Sequence, residues 1–119
     1  MKNWSRRARL LAGALALSLV TVLAPASPAL ALNRVACNER GYLRIWFWSW
    51  TSDGFEYEDS ICWANAGEDD RLEIRRATRL WSGENLGYVT TAQRGRIDFD
   101  KRNQEFDLHE GTVDFLKIN

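Results

Sequence analysis

Residues 42–50 read Tyr-Leu-Arg-Ile-Trp-Phe-Trp-Ser-Trp, and this segment decides the fold class of the chain. Aromatic and β-branched residues at this density are typical of a strand, in which successive side chains lie on opposite faces. Alternation therefore separates three indoles from three aliphatic or phenyl side chains. The indole face comprises Trp46, Trp48 and Trp50. The opposite face comprises Leu43, Ile45 and Phe47.

The residues that follow predict a hairpin. Asp53-Gly54 favours a two-residue turn, and a second run rich in aromatic residues occupies residues 57–63. This turn pairs Trp50 with Tyr57 and places both on one face of the hairpin. The other face of the outer half is polar, so we expect the end of the hairpin to project beyond the core.

Turn-forming residues divide the rest of the chain into more short runs of this kind. The runs predict strands at residues 42–50, 57–63, 71–76, 87–91, 96–100, 104–108 and 112–118. Residues 71–80 also fit a helical turn, because Leu72, Arg76 and Leu80 recur every four residues, but we favour a strand there. Short strands at this spacing predict an all-β sandwich or barrel.

The first 31 residues have the three-part pattern of a secretory signal peptide. Four basic residues precede an apolar run at residues 10–24, which ends near the small-residue site Ala29-Leu30-Ala31. The apolar run has 15 residues, fewer than a membrane-spanning helix needs. We predict cleavage after Ala31 and one secreted domain at residues 32–119, with no membrane span in the mature form.

The predicted mature chain is acidic. Twelve of the 16 basic residues but all 16 acidic residues follow residue 31, which gives a formal charge of −4. Nucleic-acid binding depends on neutralising phosphates, and attachment to anionic lipid depends on basic patches. The charge therefore argues against both kinds of partner.

The chain has two cysteines, Cys37 and Cys62, and an exported protein meets an oxidising compartment. We expect them to form a single disulfide. The bond would close a loop of about 25 residues and contribute about 3 kcal/mol on the loop-entropy model.

Three motifs point to a family. They are Asn33-Arg34-x-x-Cys37-Asn38, then Tyr42-Leu43-x-Ile45, and then Cys62-Trp63-Ala64-Asn65-Ala66-Gly67. Together they resemble the small secreted β/γ-crystallin-like proteins of streptomycetes, the antifungal and killer-toxin-like group. The resemblance implies one domain of two Greek keys packed as a sandwich, a bond between Cys37 and Cys62, and a class associated with binding to fungal cell walls or chitin and with toxicity.

The hairpin supplies the candidate binding residues, which are aromatic. They are Trp46, Trp48, Trp50, Phe55 and Tyr57. Exposed indoles about 7 Å apart along a strand can stack on sugar rings or anchor a protein. Aromatic side chains can instead complete the core of a small domain. The first hypothesis is a secreted binding protein for cell-wall carbohydrate or a surface protein; the alternatives are an adaptor subunit of a larger secreted toxin assembly and a protease inhibitor.

The sequence contains no arrangement that predicts catalysis. His109 is its single histidine, and neither a free thiol nor a Gly-x-Ser-x-Gly motif accompanies it. Two acidic clusters, at residues 53–59 and 68–73, could offer oxygen ligands to Ca²⁺, but solvated loops are favoured because no intact crystallin-type calcium motif is present. We therefore expect no enzyme activity, no catalytic residue, no metal and no cofactor.

Overall fold

The computed structural model describes residues 32–119, and these residues form eight antiparallel strands with no helix in that range. The strands are β1 Asn33–Val35, β2 Leu43–Trp50, β3 Glu56–Ala64, β4 Gly67–Asp69, β5 Ile74–Trp81, β6 Gly87–Thr91, β7 Gly95–Phe99 and β8 Glu105–Ile118. The all-β prediction is confirmed. The predicted signal peptide lies outside the described residues. In residues 32–119 no helix is long and apolar enough to cross a membrane.

All the strands belong to one hydrogen-bonded sheet, in the order β1-β3-β2-β5-β8-β6-β7, and β4 also pairs with β8. The longest strand, β8, is central because it pairs with β4, β5 and β6. The sequence predicts two strands here, separated near Gly111. The structure has one continuous strand, since His109 and Glu110 take positive φ angles of 51° and 58° and bend the strand without ending it.

Strand prediction was accurate where apolar alternation is strong. The strand at residues 87–91 has the predicted bounds. β5 begins three residues later than predicted, at Ile74, and runs to Trp81, which excludes a helical turn there. β1 and β4 were not predicted, because each has three residues and carries no alternating pattern.

Residues from most of the strands meet in one apolar cluster. The buried apolar members are Leu43, Ile45, Trp63, Leu72, Ile74, Ala77, Leu80, Val89, Phe99, Leu108, Val113, Leu116 and Ile118. Leu43 and Ile45 are fully buried, and Phe47 packs against the cluster from the same face of β2. The predicted aliphatic face of this strand is therefore its core face. The sheet must curl, because a flat sheet could not bring β2, β6 and β8 to one core.

The register of the β2–β3 hairpin differs from the prediction by one residue. The loop has three residues, 52–54, because Thr51 N–H donates to the Phe55 carbonyl at 2.8 Å; the Thr51 carbonyl also accepts from Gly54 N–H at 3.0 Å. Gly54 supplies the left-handed conformation, φ 86°, which this type of loop uses. Trp50 therefore lies opposite Glu56, and the prediction that it pairs with Tyr57 was wrong.

A shift of one residue exchanges the two faces of β3. Glu56, Glu58 and Ser60 lie on the indole face, opposite Trp50, Trp48 and Trp46. Tyr57 lies opposite Ser49, on the other face of the hairpin, and so it does not support the indoles from across the strand.

The predicted disulfide is confirmed. Cys37 is bonded to Cys62, with the two Cα atoms 5.3 Å apart. Cys62 is buried on β3, opposite Arg44 of β2, at the base of the hairpin. The bond therefore joins the hairpin base to the segment that connects β1 with β2.

Candidate functional site

The outer part of the hairpin is a two-stranded ribbon that extends beyond the rest of the sheet. The pairing of β2 with β5 ends at Phe47, opposite Ala77. On the other side, β1 pairs only with residues 62–64 of β3. Residues 48–58, called the hairpin tip below, are therefore held in the sheet by each other alone, as the sequence predicts for the end of the hairpin.

Exposed aromatic side chains concentrate at the hairpin tip. Of the four exposed large apolar side chains in residues 32–119, three lie there: Phe55 is 71% exposed, Trp50 59% and Tyr57 42%. The fourth is Leu86, which is 39% exposed and lies just before β6. Trp48 is half-buried. The predicted aromatic residues at the tip are thus at least partly open to solvent.

These aromatic groups surround the tip. Trp48 and Trp50 share one face of the ribbon, Tyr57 lies on the other, and Phe55 follows the turn. A ligand that contacts only one face meets two of the four residues, whereas a concave surface that encloses the tip can contact all of them.

Arginines of β5 neutralise the acidic residues on the indole face of the tip. Arg76 forms an ion pair with Glu56 at 2.6 Å and lies over the Trp50 ring at 5.5 Å. Arg79 bonds Glu58 at 3.3 Å. Both arginines are thus paired with carboxylates of β3. The charges of Glu56 and Glu58 on this face are consequently balanced.

Trp46, the first of the three indoles, has surroundings different from those of the other two. The guanidinium of Arg79 lies 3.9 Å from its ring centroid and that of Arg44 lies 4.7 Å from it. The ring is half-buried. Stacked guanidinium groups reduce the area of the ring available to a planar ligand, so the three tryptophans share a face without forming one continuous platform.

Trp46 forms one wall of an open cleft of about 520 Å³, which the sequence does not predict. Trp81 lines the same cleft, and its indole N–H donates to the Arg40 carbonyl at 2.8 Å. Arg40 lies over the Trp81 ring at 4.8 Å. We call this site the indole–guanidinium cleft; its lining residues are Cys37, Asn38, Glu39, Arg40, Tyr42, Arg44, Trp46, Arg79, Trp81 and Glu105.

Three separate segments of the chain form the cleft, and no local sequence motif predicts it. They are the connection between β1 and β2 with the first half of β2, the end of β5, and the start of β8. The regular spacing of Arg44 and Trp46, which share a face of β2, is the one signal that the sequence offers.

The remaining candidates lie apart from these two surfaces. His109 is exposed at the bend of β8, with its Nδ1 3.6 Å from a carboxylate oxygen of Asp107. In the described range, no three His, Cys, Asp or Glu side chains are grouped as metal ligands. In the second acidic cluster, Glu68 lies 3.8 Å from Lys117, and the Asp69 carboxylate accepts from the backbone N–H of Arg71.

No protein-family model, no curated protein and no solved structure matches this chain. The resemblance to the crystallin-like group therefore remains a prediction based on the sequence motifs alone.

Proposed function

We propose that this protein is a secreted binding protein whose hairpin tip inserts into a pocket of a partner protein. The observation that carries this proposal is the concentration of exposed aromatic residues on a ribbon whose backbone pairs with no third strand. Large exposed apolar groups are unfavourable in water unless a partner covers them. Tryptophan and tyrosine are also the residues that most often dominate the affinity of protein interfaces.

The placement of the aromatic groups favours a protein partner over a polysaccharide. Chitin-like carbohydrate would need a flat row of indoles, but Arg79 stacks on Trp46 and only Trp48 and Trp50 remain on that face. A pocket can contact both faces of the tip and the turn together. Carbohydrate binding through Trp48 and Trp50 is the second candidate, supported by their shared face.

The charges near the tip indicate the chemistry of the partner. Asp53 in the loop and Asp59 of β3 form no ion pair within residues 32–119, whereas Glu56 and Glu58 are paired with arginines. A complementary pocket would be apolar at its centre with basic groups at its rim. Such a partner fits either a surface protein of a competing cell or a larger subunit of a secreted toxin assembly, for which this chain would act as an adaptor.

We also propose a fold family for the chain, its export from the cell and a role without catalysis. The motifs around Cys37 and Cys62 support a crystallin-like Greek-key sandwich of the antifungal and killer-toxin-like group, and the signal-peptide pattern of residues 1–31 supports export. The absence of a catalytic motif in the sequence supports binding without catalysis. A protease-inhibitor role would use the same tip as the loop that enters a protease.

Removing two aromatic groups at the tip is expected to abolish binding to the partner. We predict that Trp50→Ala combined with Phe55→Ala lowers the amount of co-purified partner at least about tenfold, because truncation of hot-spot residues costs about 2 kcal/mol or more each. Tagged protein is purified from culture medium of the producing organism, and bound proteins are quantified by mass spectrometry. The melting temperature should change little, since both side chains are exposed.

Leu86→Ala is the matched control, because it removes an exposed apolar side chain far along the chain from the tip. It should retain the partner in full. Equal recovery of the partner by the tip variant and the wild type would rule out the tip as the contact. A parallel pull-down on chitin separates the candidates: tip-dependent retention on chitin, without a protein partner, would replace the protein pocket with carbohydrate as the ligand.

A further inference from the structure

The indole–guanidinium cleft lies beside the hairpin base and has no role in the proposed contact of the tip. We propose that this cleft binds a small acidic saccharide, a sugar that carries a carboxylate or phosphate group. The proposal stands independently of the hairpin tip, because it rests on Arg40, Arg44, Trp46 and Trp81.

The size and walls of the cleft suit a sugar. Its volume of about 520 Å³ lies within the usual range for small-ligand sites. Trp46 and Trp81 line the cleft and are half-buried; guanidinium groups cover part of each ring, and the part that stays exposed can contact a small ligand. Indoles offer an apolar surface to the C–H groups of a sugar ring and leave its hydroxyl groups free to form hydrogen bonds.

Two guanidinium groups in the cleft lack acidic partners. Neither Arg40 nor Arg44 forms an ion pair with a carboxylate within residues 32–119, whereas Arg79 bridges Glu58 at 3.3 Å and Glu105 at 3.4 Å. Arg40 and Arg44 both line the cleft, so their charges are available to a ligand that enters it. A carboxylate or phosphate group of a ligand could form ion pairs with both arginines, because the planar guanidinium group matches the geometry of either anion.

Stacking prepares these arginines for an anion. Arg40 lies 4.8 Å from the Trp81 centroid and Arg44 lies 4.7 Å from that of Trp46. Arg44 also donates from Nε to the Ser60 hydroxyl at 3.0 Å, which leaves its terminal nitrogens for a ligand. Side chains held in this way lose less conformational entropy on binding.

The remaining polar groups favour a saccharide over a simple anion. Glu39 and Glu105 line the same cleft and can accept hydrogen bonds from sugar hydroxyls. These carboxylates repel any anion, but the several neutral hydroxyl groups of a sugar can offset that repulsion by donating hydrogen bonds to them. Donors, acceptors and indoles together therefore match a molecule with both an acidic group and hydroxyls.

The test is a titration of the ¹⁵N-labelled secreted protein. Binding is monitored by NMR through the chemical shifts of the indole N–H signals. The probes are D-glucuronate, glucose 6-phosphate, D-glucose and inorganic phosphate. We expect at least one acidic sugar to shift the Trp46 and Trp81 signals with a dissociation constant of about 1 mM, and glucose and phosphate to bind at least about tenfold more weakly. The two acidic sugars show whether a carboxylate or a phosphate is preferred.

Arginine substitutions test the assignment of the site. Arg40→Gln combined with Arg44→Gln should weaken binding of the acidic sugar at least about tenfold, since charge-assisted hydrogen bonds are lost. Arg94→Gln, in the exposed turn between β6 and β7, should bind like the wild type. The Trp50→Ala, Phe55→Ala variant should also bind normally, which separates this site from the tip.

Three outcomes would overturn the proposal. The first is the absence of indole shifts with either acidic sugar at concentrations of about 50 mM, well above the expected dissociation constant. The second is equal affinity for inorganic phosphate and glucose 6-phosphate, which would mean that only an anion is recognised. The third is unchanged binding by the double arginine variant in a protein whose amide spectrum shows that it is folded.

Discussion

Gly83→Ala is expected to lower the free energy of unfolding by about 3 kcal/mol or more, through backbone strain and overpacking. A Cβ at this position would lie 2.3 Å from the carbonyl oxygen of Gly41 and 2.5 Å from that of Tyr42. Both are backbone atoms, so they cannot move aside as a flexible side chain could. The φ angle of Gly83, 58°, adds the cost of a left-handed conformation for alanine.

The close approach of Gly83 to the Gly41 backbone also supports the indole–guanidinium cleft. The Gly41 carbonyl accepts from the backbone N–H of Glu84 at 3.0 Å and from the side-chain amide of Asn85 at 3.1 Å. These bonds hold the segment that carries Arg40 against the loop after β5. Gly83→Ala is therefore expected to weaken binding of the acidic sugar as well as the fold.

Thermal and urea unfolding of the purified protein measure this effect. A loss of about 3 kcal/mol corresponds to a decrease in melting temperature of about 15 °C for a domain of this size. Gly95→Ala is the matched control, because Gly95 also has a positive φ, 74°, but no atom lies within 4 Å of its Cβ position. It should cost only about 1 kcal/mol. Equal losses for the two variants would contradict the close approach of Gly83 to Gly41.

Removal of the disulfide is expected to have an effect of similar size. Cys37→Ala combined with Cys62→Ala frees a loop with a sequence separation of 25 residues, and the loop-entropy model gives a loss of about 3 kcal/mol. Small domains have a total stability of about 5–15 kcal/mol, so this is a large fraction. The measurement is the melting temperature of the variant and of the reduced wild type.

The control for this prediction is chemical. A reducing agent should lower the melting temperature of the wild type and leave that of the double variant unchanged. If reduction has no effect on the wild type, the bond does not stabilise the fold. The loss should affect the cleft more than the hairpin tip, because Cys37 belongs to the connection that carries Arg40 and lines the cleft itself.

Alternation in residues 42–50 was sufficient to predict the two faces of β2, and the burial of Leu43 and Ile45 confirms the core face. This prediction depends only on the geometry of an extended chain. The disulfide between Cys37 and Cys62 could also be predicted, since the chain has no other cysteine.

The length of the hairpin loop could be determined only from the structure. Asp53-Gly54 is compatible with loops of two or three residues, and in the structure Thr51 N–H donates to the Phe55 carbonyl at 2.8 Å while the Thr51 hydroxyl accepts from the Phe55 N–H. These bonds accompany a register that places Tyr57 on the face opposite Trp50. A sequence pattern with aromatic residues on both strands could not distinguish the two registers.

The sequence by itself determined the all-β class, the face of each residue on β2 and the covalent link between its two cysteines. The tertiary structure alone decided the hairpin register, the bend in β8 and the cleft that brings Arg40 and Arg44 to Trp81 and Trp46. The physical reason is the range of the interactions. Alternation is a property of adjacent peptide units, whereas the cleft exists only where strands distant in the chain pair and curl around one core.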